Sequence, residues 1–334
     1  MLNVALVGCG RISPCHVDAV KANADRFRIA WVCDRDEAKA RALAQELGCG
    51  WTCDMFALSG KGIDVASVLT PSGLHPRHLI DLAEQTDIPA FIGEKPLALH
   101  AADAERVFDA FAKAGKKLYP VYQNRYNPIV VRLKEMIDAG AFGRIHQFAF
   151  NVYWRRDADY YAIDWHGTRD LDGGVLFTQA SHFIDMLHFF FGPLESFRGF
   201  TGNHRALDIA DSASVSMRFA NGAVGTLNAT VSVYDADYMT EFTLIAEKGT
   251  VRLGGVNLNH IEFWNVEGVE KPTLDFEIAH QYGLGHRKLY AHVADGRGDL
   301  FADRATLVSG IRLMETVSGA GPTNEISPFS FDMS

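Results

Sequence analysis

Cysteine is absent from most of this chain. Cys9, Cys15, Cys33, Cys49 and Cys53 all lie at one end, and none follows. An odd, one-sided set is a poor disulfide framework. Cys49-x-x-x-Cys53 has no second pair to complete a metal tetrahedron, so no metal is expected. Long apolar runs are missing too. The best candidate, around 186–191, is broken by His188 and falls far short of the about 18 residues of a membrane span, so no membrane partner is expected. Positive charge is in deficit, with 32 Lys+Arg against 41 Asp+Glu and a net charge of −9. That excludes a general nucleic-acid binder. The first residues lack a basic region and an export-length apolar core, and read at once as a strand. With the unpaired cysteines, this predicts a reducing, cytoplasmic setting. No internal repeat or low-complexity segment appears.

What is present fits a globular protein. The 334 residues are 48% hydrophobic and 22% charged, close to globular norms, and at about 150 residues per domain they suggest two domains. Over 1–121, apolar runs alternate with helical patterns. Strands are expected at 4–7, 27–33, 65–69, 90–92 and 117–121. Helices are expected at 14–23 (Ser13 as N-cap, Pro14 first), 37–47, 75–85 and 101–114. Strand–helix alternation of this kind means a doubly wound parallel sheet, an α/β domain. Over 122–334 the texture changes. Strands are expected at 144–154, 213–219, 223–231, 241–246, 250–253, 260–266 and 273–278, with hairpin turns at Ala220-Asn221-Gly222 and Glu247-Lys248-Gly249. Helices are expected at 129–139, 178–190, 286–293 and 304–317. This predicts an α+β domain on an open, mostly antiparallel sheet. Small residues such as Ser214, Ser216 and Thr226 beside alternating apolar ones suggest that a second subunit covers one face, giving a homodimer or homotetramer.

Gly8-Cys9-Gly10-Arg11-Ile12 follows the first strand and opens the first helix. The first glycine permits a tight turn, the second lets backbone approach a pyrophosphate, and the helix start offers free N–H groups. Ser13 stands where a third glycine often sits. Asp34 closes the second strand, where a carboxylate can hold the ribose diol and repel a 2′-phosphate. This favours NAD over NADP, with Arg35 as the counterweight. Two more loops lie at carboxyl ends of parallel strands, Thr70-Pro71-Ser72-Gly73-Leu74-His75 and Gly93-Glu94-Lys95-Pro96. A partly desolvated Lys95 beside a cofactor cation can trade protons near neutral pH.

The glycine loop, Asp34, Thr70-Pro71 and Glu94-Lys95-Pro96, in that order, resemble the Gfo/Idh/MocA family of oxidoreductases. The resemblance covers essentially the whole chain. It implies a Rossmann domain followed by an open-sheet α+β domain, and a lysine and a histidine serving the reacting hydroxyl, here Lys95 and His182. It also implies NAD contacts from Gly8, Gly10, Arg11, Ile12, Asp34, Arg35, Thr70, Pro71, His75, Glu94, Lys95 and Gln123. In the second domain, Gln123-Asn124-Arg125, Tyr153-Trp154-Arg155-Arg156, Tyr160-Tyr161, Trp165-His166-Gly167-Thr168, Asp172-Gly173-Gly174 and Thr178-Gln179-Ala180-Ser181-His182 resemble the branch of UDP-N-acetyl-2-amino-2-deoxyglucuronate dehydrogenases. Those enzymes oxidise a sugar 3-hydroxyl. The branch usually carries Arg at the position of His166, and this departure weakens the case for the same charged substrate.

Ala180, Phe183, Ile184 and Leu187 make one apolar helix face. Gln179, His182 and Asp185, three apart, share another, with Thr178 one turn before His182. Asp185 is expected to orient His182; either His182 or Lys95 can be the formal base. Arg155 with Arg156 could clamp a diphosphate or carboxylate, or could alternate so that only one faces the site. Tyr160 and Tyr161 could stack on a base or sugar, or could be rim aromatics. The expected substrate contacts are Lys95, Arg155, Arg156, Tyr160, Trp165, His166, Thr178, Gln179 and His182. The leading reading is an NAD-dependent dehydrogenase of a nucleotide sugar. Its alternatives are a dehydrogenase of a free sugar or inositol-type polyol and a non-catalytic dinucleotide sensor.

Overall fold

The computed structural model describes residues 1–205, 207–255, 257–273, 285–297 and 301–319. The first half is built from β1 (Leu2–Val7), α1 (Ser13–Ala22), β2 (Phe27–Cys33), α2 (Glu37–Leu47), β3 (Gly50–Thr52), β4 (Val65–Val68), α3 (His75–Gln85), β5 (Ala90–Gly93), α4 (Ala101–Ala114) and β6 (Lys117–Pro120). The sheet order is β3-β2-β1-β4-β5-β6, parallel at every pairing. β4 and β5 are buried along their whole length, because helices cover both faces and leave no reason for alternation. The strand order reverses between β1 and β4, so a crevice opens at their carboxyl ends. Local chemistry sets the helix limits. Asp36 accepts hydrogen bonds from the Ala38 and Lys39 N–H groups, and Gly48 ends α2 in the left-handed region.

The second half holds α5 (Pro128–Asp138), β7 (Ile145–Tyr153), α6 (Ala158–Tyr161), α7 (Ser181–Phe191), β8 (Leu194–Gly202), β9 (Ser212–Phe219), β10 (Val224–Thr230), β11 (Met239–Ala246), β12 (Gly249–Gly254), β13 (His260–Val266), α8 (Gly285–Asp295) and α9 (Arg304–Val317). Seven strands run in the order β13-β12-β11-β7-β10-β9-β8. Only β7 and β10 pair in parallel. The inner face is aromatic: Phe148 and Phe150 of β7 and Phe242 of β11 meet Phe183, Phe190 and Phe191 of α7. The outer face differs from the expectation of apolar residues on both sides. It carries a polar ladder, with the Ser214 hydroxyl donating to Asn228 at 2.7 Å and the Asn228 amide to Asn151 at 3.0 Å. Phe200, Ile245 and Phe263 are exposed around it. The strand expected at 273–278 lies outside the described residues after Thr273. No helix among the described residues is long and apolar enough to cross a membrane.

Among the contacts that tie the halves together, two lie in the interior. Leu289, Tyr290 and Val293 of α8 join Val4, Leu6 and Phe27 in one core cluster, so a late segment completes the first sheet. A division at residue 121 follows the chain and not the packing. The second tie is a buried ion pair. Arg125, in the 3-10 turn Gln123–Tyr126 just after β6, grips Asp185 of α7 through Nε and Nη2, both at 2.7 Å. Both side chains are almost wholly buried. Burial works against the guanidinium charge, but Asp185 outweighs it and holds Arg125 protonated. Removing one partner of such a pair strands a charge in low dielectric. Asp185→Asn should therefore lower unfolding stability by about 3–5 kcal/mol, while Arg125→Met with Asp185→Leu recovers much of the loss. Urea unfolding of the three proteins checks this; a single variant as stable as the parent contradicts it.

Candidate active site

The glycine loop turns directly off β1. Gly8 has φ +110, and a Cβ there would lie 2.7 Å from the Leu69 carbonyl oxygen, so only glycine fits under the end of β4. Gly10 has the opposite reason: a Cβ would meet nothing within 4 Å, because the backbone borders open space. Ser13 does not cap α1 as expected. Ile12 is the N-cap and provides no side-chain cap, while the Ser13 hydroxyl donates to the Gly10 carbonyl at 2.8 Å. The start of α1 is thus uncapped and free of acidic side chains, which suits an anion. Asp34 receives the Cys9 N–H at 2.8 Å and the Asp36 N–H at 2.9 Å. These bonds fix its carboxylate beside the loop. Arg35 is exposed and reaches Asp164 of the second half at 3.2 Å. An uncapped helix start, an open Gly10 and a carboxylate closing β2 together fit a dinucleotide.

The next two loops are stapled to each other. His75 is buried, with Nδ1 2.8 Å from the Pro96 carbonyl and Nε2 2.6 Å from that of Thr70. Both ring nitrogens face backbone carbonyls, and a neutral ring, with one N–H, donates to one of them. Burial favours its neutral form. Pro71 leads into a 3-10 turn, Ser72–Leu74. There the Gly73 N–H donates to Leu171 at 3.1 Å, and a Cβ would strike the Asp170 carbonyl. Glu94, expected at the cofactor, is 4% exposed, and protein donors occupy its carboxylate. His16 lies 2.9 Å and His286 3.2 Å from Oε1, and the Lys95 N–H donates to Oε2 at 3.0 Å. Lys95 itself crosses to the second half, donating from Nζ to the Thr178 carbonyl at 2.8 Å. Burial lowers its pKa, opposed by Glu94 and Asp172.

The helix carrying His182 begins irregularly. Residues Leu176–Ala180 form a π-helical turn that runs into α7. Such turns recur at functional sites. Here it leaves the Thr178 carbonyl to Lys95, while the Thr178 hydroxyl bonds back to Gly174 at 3.0 Å. His182 is buried, with Nε2 3.3 Å from the Gln123 amide and no partner for Nδ1 among the described residues. Burial, and then the Lys95 charge, hold it well below the usual histidine range, so the ring is neutral. Asp185 does not orient it. That carboxylate is spent on Arg125, because one helical turn carries the side chain around α7 toward the domain junction. Nor is the shared face of Gln179, His182 and Asp185 a solvated stripe: all three are buried.

A connecting segment covers the cleft. Arg156 donates to Gln179 Oε1 at 3.2 Å, and Gln179 donates to the Tyr160 hydroxyl at 3.0 Å. Arg155 turns outward to Asp157 at 3.0 Å. Of the two arrangements the sequence left open, the structure has the alternating one, with Arg156 alone turned toward Gln179 and Tyr160. The Tyr160 ring has Arg11 5.2 Å and Arg156 5.6 Å from its centroid, joining the glycine loop to the second half. Trp165 stacks on His166 at 3.9 Å, and His166 Nδ1 faces Asp172 at 3.3 Å. Its Nε2 is buried without a partner among the described residues. Tyr161 packs edge-on to Tyr160 at 5.0 Å.

Five residues received no individual role in the sequence reading: Arg125 and Asp172, quoted there only within motifs, and His16, His286 and Tyr290. Asp172 accepts the Gly167 and Gly174 N–H groups at 3.0 and 2.9 Å; its Asp-Gly-Gly setting was the available signal. His16, Glu94 and His286 meet from three distant stretches, with ligand-type atoms within 4.8 Å, and no local pattern announces that. They meet as hydrogen-bond partners.

Residues 2–122 match the model of the oxidoreductase family with NAD-binding Rossmann fold, and residues 130–252 match the GFO/IDH/MocA C-terminal domain. The WlbA dehydrogenase of Chromobacterium violaceum, solved with NADH and UDP-GlcNAcA, is 34% identical with a TM-score of 0.85, covering 95% of this chain and 92% of that one. The Bordetella pertussis WlbA dehydrogenase, solved with the same two molecules, is 32% identical with a TM-score of 0.84, covering 94% of each chain. Levoglucosan dehydrogenase of Pseudarthrobacter phenanthrenivorans is 28% identical over 216 residues, spanning 57% of this chain and 55% of that protein. Matched in order from the glycine loop to the second sheet, the chain belongs to the Gfo/Idh/MocA family of NAD-binding oxidoreductases.

Proposed function

We propose that this protein oxidises a secondary hydroxyl of a sugar with NAD, and that the substrate is a nucleotide sugar of the UDP-N-acetylglucosaminuronate type attacked at its 3-hydroxyl. The observation that carries the chemistry is the meeting of Lys95 and His182 across the cleft beside the glycine loop. One is a buried ammonium with a lowered pKa, the other a neutral imidazole. Bound NAD supplies the hydride acceptor. The chain's own part is to hold the carbinol and to manage its proton. His182, neutral, can take the hydroxyl proton on Nε2 when the carbinol replaces the Gln123 amide there; Lys95 can donate a hydrogen bond to the oxygen or relay the proton in turn. The Lys95–Thr178 bond keeps the ammonium at the cleft floor before substrate enters.

The nucleotide-sugar assignment draws on similarity to the two WlbA dehydrogenases and on Arg156, Gln179, Tyr160 and Arg11, which line one wall with cationic and aromatic groups. A free sugar is the second reading. It is favoured by His166, which Asp172 and Trp165 hold in place of the arginine usual in the branch. Titrating UDP-sugars, with and without a 6-carboxylate, against free sugars and inositols separates the readings. Turnover confined to free polyols contradicts the nucleotide-sugar proposal.

We further propose a homodimer or larger assembly through the polar outer face of the second sheet. Light scattering at micromolar concentration should give at least twice the 36.8 kDa chain mass; a monomer contradicts it. Lys95→Ala and His182→Ala should each lower kcat by roughly 100-fold or more, as for lost acid–base groups, while NADH binding by calorimetry persists. Near-normal rates in both would overturn the assignment. Wild type should bind NAD(H) more tightly than NADP(H), because the fixed Asp34 carboxylate repels a 2′-phosphate. Asp34→Ser should weaken NAD binding and narrow the gap by removing the charge that repels the phosphate. Calorimetry with both cofactors on both proteins is the measurement, and tighter NADP binding in wild type contradicts the assignment.

A further inference from the structure

Glu94 sits at the centre of a buried polar chain that the proposed chemistry does not use. Ser67 Oγ lies 2.7 Å from the Tyr290 hydroxyl, Tyr290 lies 2.9 Å from His16 Nδ1, and His16 Nε2 lies 2.9 Å from Glu94 Oε1. His286 Nε2 reaches the same oxygen. One proton arrangement makes all of these bonds at once, leaving only the buried His286 Nδ1 without a partner among the described residues. Ser67 donates to Tyr290, Tyr290 to His16 Nδ1, and both imidazole Nε2–H groups to Glu94, while the Lys95 N–H donates to Oε2. In that arrangement both histidines are neutral and only Glu94 is charged. The direction of titration agrees. Burial keeps His16 neutral. Burial works to raise Glu94, but the bonds from His16 and His286 outweigh it and hold Glu94 well below the usual carboxylate range. A single anion is thus fixed next in sequence to a buried ammonium, by donors from α1, α8 and the loop after β5.

We propose that Glu94 is the positioning residue of Lys95 and its fixed counter-charge, gathered at this spot by His16 and His286. Two jobs follow from the geometry. The Oε2 bond to the Lys95 N–H sets where the lysine leaves the loop. The negative charge opposes the loss of the lysine proton in a closed site. The other charges felt by Lys95 are Asp172 on the same side of the balance and Arg156 and Arg11 against it. His182 and His75 both feel the lysine in turn. Without Glu94 the two arginines face Asp172 alone, and the ammonium becomes the costlier form.

This rests on Lys95 as a proton-handling group, so the test reads the lysine directly and needs no substrate. Competitive labelling with acetic anhydride across pH, read at the Lys95 peptide by mass spectrometry, gives the midpoint of its deprotonation. In Glu94→Gln that midpoint should fall by about one pH unit or more, the size of a lost neighbouring charge. A purely structural role moves it the other way, because a loosened loop lets water reach the ammonium and rehydration raises its pKa. An unchanged or raised midpoint overturns the proposal. Glu94→Asp keeps the charge and shortens its reach: the midpoint should hold while kcat falls at least tenfold. Wild-type kcat in that variant overturns the positioning role. If Glu94→Gln does not fold, Glu94→Asp decides alone, since a midpoint that falls despite the retained charge also overturns the proposal. Full activity in Lys95→Ala would instead sink the catalytic reading, whatever the labelling shows.

Discussion

The bidentate pair of Arg125 and Asp185 is the constraint on which the cleft depends. Taking both charges from water costs several kcal/mol each, and only paired geometry offsets it. The two groups therefore have one acceptable arrangement, and the elements that carry them inherit it. Arg125 leaves the turn that follows β6 and Asp185 leaves α7, so the end of the first sheet is locked to the helix over the second. Gln123 and His182, close by on those two elements, meet at 3.3 Å as a result. Phe189, one turn further along α7, lies 4.8 Å from the Arg125 guanidinium and shields the pair. His182 is thus placed by its neighbours' electrostatics; its own Nδ1 has no hydrogen-bond partner among the described residues.

Around that lock the charges are distributed unevenly. Lys95 feels two anions, Glu94 and Asp172, and two cations, Arg156 and Arg11. Both arginines lie over one aromatic ring, Tyr160, whose face attracts cations that would otherwise repel each other. The histidines nearest the floor, His16, His75 and His182, are all held neutral by burial, so they add hydrogen-bonding capacity without adding charge.

Much of this was legible in the sequence where short-range rules decide. The parallel strands, the helices over 37–47, 75–85 and 101–114, and the hairpin at Ala220-Asn221-Gly222 follow from period, caps and turn residues. Gly8, Gly10 and Asp34 lie where a strand–turn–helix reading puts them. Strand β8 escaped because its burial does not alternate regularly, and β3 because three edge residues carry no periodic signal. The π turn at Leu176–Ala180 adds width to a helix without changing its composition. Asp185 was misassigned for a general reason: spacing by three puts two side chains on one face but says nothing of what faces them. Arg125 decides that, from sixty residues upstream. The His16–Glu94–His286 network was beyond reach for the same reason, since its members are distant in sequence.

The packing of α8 on the first sheet has a consequence for the order of synthesis. A chain emerging from a ribosome exposes β1 to β6 well before Gly285–Asp295. At about 5–20 residues per second the interval is roughly ten to thirty seconds. Throughout it the Val4, Leu6 and Phe27 cluster lacks Leu289, Tyr290 and Val293. Ser67 and His16 lack the hydroxyl that joins them, and Glu94 lacks one of its two imidazole donors. The nucleotide-binding half is therefore vectorially incomplete: its strands can pair as they appear, but its interior closes only once Gly285–Asp295 has been made. Glu94, the counter-charge proposed for the lysine, is among the last groups to find its full set of partners, so the proton-handling end of the cleft matures after the scaffold that displays it.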